Sequence, residues 1–81
     1  MLEQEFTLVL ASDPGEDDAD RLYAAFQDGT ISTIAGVPRI DFHRGAETLV
    51  AAIRSAIDDV RGAGFEVLRV EIEPAAVAPS N

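Results

Sequence analysis

Three residues at alternate positions carry what chemistry this chain offers. Arg39, Asp41 and His43 are spaced two apart, so on an extended strand all three project from one face. A guanidinium, a carboxylate and an imidazole together could bind an anion or move a proton. Against that, His43 is the only histidine in the chain, and no second catalytic group is spaced to work with it. Ordinary cross-strand pairing on a solvated face explains the triplet better. The acidic run Glu16-Asp17-Asp18-Ala19-Asp20 could attract a divalent cation. It lacks the spacing and the distal bidentate glutamate of a calcium loop, and helix-start electrostatics account for it. Ser12-Asp13-Pro14-Gly15 has one glycine and no lysine, so it is not a phosphate loop.

Composition removes whole classes of function. The chain has no cysteine, which excludes disulfides, thiolate nucleophiles and Cys-ligated zinc. All six basic residues are arginine, so lysine Schiff-base chemistry is excluded too. With no Ser-His-Asp set, paired zinc ligands or nucleotide fingerprint, the expectation is a protein that is not an enzyme, with no cofactor and no metal. Fifteen acidic residues against six basic give a formal charge of −9. That balance opposes nucleic-acid backbones and anionic membranes and suits a basic protein partner. The acidic N-terminus is unlike a signal peptide and no apolar run has the length of a membrane span, so a cytoplasmic location is expected.

The elements that hold these residues follow from periodicity. Residues 5–11 alternate, with Phe6, Leu8 and Leu10 on one side and Thr7, Val9 and Ala11 on the other. Asp13 then reads as a helix N-cap with Pro14 at the first helical position and Glu16 completing a capping box. Ala19, Leu22, Tyr23 and Phe26 form the buried stripe of that helix, and Asp28-Gly29 stops it. Residues 30–37 read as a strand, although Ile31 and Ile34 have opposite parity, and Ala35-Gly36 reads as a tight turn. In the next strand Ile40 and Phe42 face the core. Residues 46–63 read as the strongest helix, with Leu49, Ile53, Ala56, Ile57 and Val60 buried. In the last strand, 65–73, Leu68, Val70 and Ile72 are expected to point inward. Residues 1–74 thus form a single α+β domain and 75–81 a disordered tail.

The order βαββαβ implies a ferredoxin-like two-layer sandwich. It has a four-stranded antiparallel sheet, two helices on one face and the first and third strands in the centre. The uncovered face is expected to carry Thr7, Val9, Ala11, Arg39, Asp41, His43, Arg69 and Glu71, of which the first six form the candidate interaction surface. Val9 and Ala11 are expected to be exposed there, and apolar groups in the middle of an open sheet suggest a contact surface. A chain of 81 residues has a small core that gains from pairing, so a homodimer through this face is expected. A small-ligand-binding domain using the same face or a dimer cleft is the alternative.

Several spaced blocks resemble a known family: Asp28-Gly29-Thr30-Ile31, Gly36-Val37-Pro38-Arg39-Ile40-Asp41-Phe42-His43-Arg44, residues 49–64, and Arg69-Val70-Glu71. They are similar to a group of small bacterial proteins of poorly defined function. Many of these carry this module ahead of a helix-turn-helix and are described as DNA-binding or antitoxin-like. The resemblance spans residues 5–74 and implies a regulatory or antitoxin-like association module. After Val70-Glu71-Ile72-Glu73-Pro74 the sequence runs only to Asn81, where those relatives continue into the helix-turn-helix. DNA binding is therefore not carried over, and the chain is either a short stand-alone relative or a fragment.

Overall fold

In the computed structural model, which describes residues 2–72, the alternating segment at the start of the chain is strand β1 (Leu2–Leu10). Helix α1 (Glu16–Ala25), strands β2 (Gly29–Ile34) and β3 (Val37–Ala46), helix α2 (Leu49–Gly62) and strand β4 (Val67–Glu71) follow. The protein is α+β, with an open four-stranded antiparallel sheet in the order β2-β3-β1-β4. The two longest strands are central, which places the residues of β1 and β3 beside one another along most of their length. Among the described residues no helix is long and apolar enough to cross a membrane. The tail expected over 75–81 lies outside the described residues.

One sheet face carries the core. Phe6, Leu8 and Leu10 from β1 and Ile40 and Phe42 from β3 cluster with Leu22 of α1, Phe26 just beyond it, and Ala52, Ala56 and Val60 of α2. Phe42 is the hub. Its ring stacks on Phe6 at 5.3 Å between centroids and meets Phe26 at 4.9 Å, geometries worth about 0.5–1.5 kcal/mol each beyond area burial. Two of the buried α2 residues are alanines, and small side chains let a helix approach a sheet closely. Leu49, Ile53 and Ile57 pack at the margin of the core, only partly buried. The helix is therefore rolled relative to the stripe expected from its larger residues.

Local chemistry departs from expectation at α1. The N-cap is Gly15 with no side-chain hydrogen bond, while Asp13 accepts from the Thr33 hydroxyl instead, at 3.5 Å. Glu16, Asp17 and Asp18 occupy the first turn, where the helix dipole favours them. Helix α2 begins three residues later than expected, because Ala46 still belongs to β3. Thr48 caps it, accepting from the Ala51 N–H at 3.1 Å.

The β2–β3 hairpin closes through Ala35 and Gly36, both at positive φ (53° and 79°), as a two-residue turn matched to strand twist requires. At the other end of β2, a Cβ on Gly29 would lie 2.9 Å from both Ile40 and Phe26, so only glycine fits there. Of the three residues expected to point inward in the last strand, Val70 does so, whereas Leu68 and Ile72 do not. The register with β1 shifts between Val9 and Leu10, which pair with Arg69 and Val67. This bulge leaves Leu68 as the extra residue, 61% exposed, and turns Val67 and Val70 to the core. Ile72 lies past the strand end and is 38% exposed.

Candidate functional site

The uncovered face is organised in rows set by strand register. Glu5 lies opposite His43. Thr7 pairs with Asp41 on one side and Glu71 on the other, and Val9 with Arg39 and Arg69. Thr30 and Ser32 extend the last two rows onto β2, opposite Asp41 and Arg39.

The polar groups pair within and between these rows. The Thr7 hydroxyl donates to Asp41 Oδ1 at 2.5 Å. Glu71 accepts from two arginines, Oε1 from Arg39 and Oε2 from Arg69 Nε at 3.1 Å. His43 Nδ1 lies 3.4 Å from Glu5 and 3.7 Å from Glu3, with the ring 57% exposed. These are contacts between exposed groups, each worth little alone. Arg39 is held more firmly. Its side chain is 23% exposed, and its Nε is buried with no acceptor among the described residues.

That arrangement corrects the expected apolar patch. Val9 is fully buried, although it belongs to the uncovered face. In register it stands between Arg39 and Arg69, whose head groups converge on Glu71. Arginine stems cover apolar surface in this way while the charge stays wet. Ala11 is exposed but lies past the end of β1, where its N–H donates to the Glu66 carbonyl at 3.1 Å. The apolar pair expected in the middle of the face is thus sealed at one position and displaced from the sheet at the other.

A shallow depression of about 610 Å³ occupies the middle of this face. Thr7, Arg39, Asp41 and His43 line it together with Glu5 and Glu71. Sequence reasoning places the first four and Glu71 on one surface. It did not single out Glu3 and Glu5, although their parity with Thr7 would have put them beside His43 in an antiparallel pairing. The depression offers carboxylates, a hydroxyl, a guanidinium and an imidazole, which can orient a polar or charged group. Among the described residues, no cluster of three or more His, Asp or Glu side chains has the geometry to hold a metal ion.

A second polar cluster lies at the edge of the core. Arg44 donates from Nε and Nη2 to both Asp28 oxygens, at 2.7 and 2.9 Å, and from Nη1 to Ser55 Oγ at 3.0 Å. It also pairs with Asp59 at 2.9 Å, and its guanidinium lies 5.1 Å from the Phe42 ring centroid. The hydrogen bond from Arg44 holds the Asp28 carboxyl below its usual value, and the same bond raises Arg44. With the guanidinium only 13% exposed, this cluster ties β3 to α2 and to the turn before β2. Its geometry is that of a structural clamp whose donors are already used.

Compared with protein-family models, curated proteins and solved structures, the chain matches none.

Proposed function

We propose that this chain is a non-catalytic association module that pairs with a second copy through its uncovered sheet face. The observation that carries the reading is the sheet itself. Two helices fill one face with a continuous core, while the other presents rows of polar side chains around a depression over which none of the other described residues packs. The order β2-β3-β1-β4 in a βαββαβ chain supports a ferredoxin-like reading of the fold. The blocks that resemble the small bacterial family support a regulatory or antitoxin-like setting with a protein partner. The formal charge of −9 favours a basic partner over nucleic acid, and we place the protein in the cytoplasm.

Thr7 sits in the central row, half-buried on the open side, so Thr7→Arg adds bulk to the contact surface without entering the core. Wild-type protein at about 100 μM, a weak-association concentration, is expected to sediment as a dimer, and folded Thr7→Arg as a monomer. A wild-type monomer, or a Thr7→Arg variant that still dimerises, removes this reading. The depression of about 610 Å³ also favours a second reading, a small polar ligand bound on the same face. Chemical shift changes confined to Thr7, Asp41 and His43 on adding a metabolite mixture to monomeric protein would support that instead.

A further inference from the structure

The two edges of this sheet are defended differently. Strands β2 and β4 flank the sheet, and an edge strand offers its outer backbone groups to any extended chain. Strand β4 carries the bulge at Leu68 and two charged residues, Arg69 and Glu71, which deter such pairing. Strand β2 reads Gly29-Thr30-Ile31-Ser32-Thr33-Ile34, with no charge and no proline. Two threonines and two isoleucines give it high strand propensity. In a chain with a formal charge of −9, it is an uncharged segment of the length and composition that pairs with copies of itself.

Register fixes which groups of β2 face outward. The His43 N–H donates to the Asp28 carbonyl at 2.9 Å. Alternate residues of a strand turn their backbone groups the same way. Thr30, Ser32 and Ile34 therefore bond toward β3, and Gly29, Ile31 and Thr33 turn theirs outward. Pro38, which has no N–H, stands opposite Thr33 as this alternation requires. Ile31 is the middle one of the three outward residues, and its N–H is already used. It donates to the Tyr23 hydroxyl of α1 at 2.9 Å. The Tyr23 ring is itself anchored edge-on to Phe26, with 5.9 Å between centroids and 61° between planes, and Phe26 belongs to the core.

An antiparallel pair of β2 edges that overlaps at the middle of the strand needs the Ile31 N–H of both copies, because a two-fold axis repeats every contact. The Tyr23 oxygen stands where the incoming carbonyl would. We infer that the Tyr23 hydroxyl is a plug that keeps the edge of β2 from pairing with β2 of another copy. The inference is independent of what meets the uncovered face.

Hydrogen exchange and sedimentation of Tyr23→Phe test it, since this substitution keeps the ring on Phe26 and removes only the acceptor. At about 10 μM, below a weak-association concentration, the Ile31 amide of wild type is expected to exchange more slowly than that of Thr33. Tyr23→Phe is expected to speed Ile31 exchange roughly five- to tenfold, the worth of one hydrogen bond. At about 500 μM the variant is expected to form larger species than wild type, with Ile31 protection regained. Adding Thr33→Lys at an exposed position puts a charge on the edge and is expected to restore the wild-type size. The plug is overturned if Ile31 and Thr33 exchange alike in wild type, if Tyr23→Phe leaves the Ile31 rate unchanged, or if the variant keeps the wild-type size at the higher concentration. Larger species that persist with Thr33→Lys overturn it as well, because they form through another surface.

Discussion

The two faces of this sheet are built from alternate residues of the same strands, and they solve different problems. On the helix side, Phe6, Leu8, Ile40 and Phe42 exclude water through close packing. On the other side, Thr7, Asp41, Arg39 and Glu71 satisfy one another by hydrogen bonds and ion pairs. Val9 shows how the second face handles an apolar side chain, burying it completely between two arginines without a helix. The difference teaches that the uncovered face is an ordered polar surface and not an unfinished core. Any partner must therefore meet it by charge and shape complementarity, because little apolar area remains to drive docking.

The largest break in this comparison should come from the helix side. Phe42→Ala removes the hub of the aromatic cluster and the ring beneath Arg44. It is expected to cost about 3–5 kcal/mol in urea unfolding; a loss below about 1 kcal/mol would contradict a core centred there. Gly29→Ala forces a methyl against Ile40 and Phe26 and should cost about 1–3 kcal/mol by the same measurement. Asp28→Asn weakens the Arg44 clamp, an effect of about 1–2 kcal/mol for a partly exposed charged pair.

That clamp also has a pH signature. The Asp28 carboxyl is held below its ordinary value of 3.8. Its contribution is therefore fully present above that value and lost as pH falls through the lower folded one. Unfolding free energy followed from pH 5 downward, a range of about three units, should fall more steeply for wild type than for Asp28→Asn; parallel curves would contradict the clamp. The smallest effect sharpens the comparison. Val9→Ala should cost about 1–2 kcal/mol, less than Phe42→Ala but well above zero, although Val9 lies on the face without helices. No loss would mean that the arginines do not shield it.

Much of this organisation is legible in the sequence. Two-residue periodicity assigns Phe6, Leu8, Ile40 and Phe42 to one face and Thr7, Arg39, Asp41 and His43 to the other, and the structure joins those four around one depression. What is not legible has physical causes. In α2 the stripes of Ala52, Ala56 and Val60 and of Leu49, Ile53 and Ile57 are adjacent and both apolar, so periodicity alone does not fix the roll. Closeness to the sheet does, and it favours the alanines. In β4 one bulged residue inverts the alternation before Arg69, and nothing in Val67-Leu68-Arg69-Val70 marks it. The burial of Val9 depends on the reach of two side chains from neighbouring strands, which no local pattern encodes.

The central claim is that the uncovered face meets a second copy. Isotope-filtered NOE spectroscopy on a mixture of labelled and unlabelled chains reads that contact atom by atom. The account predicts intermolecular cross-peaks from the Thr7 methyl group and from the Arg39 and Arg69 side-chain methylenes, with none from the outer surfaces of α1 and α2. Cross-peaks confined to the helices or to the edge of β4, or none under conditions where the chain sediments as a dimer, would contradict it.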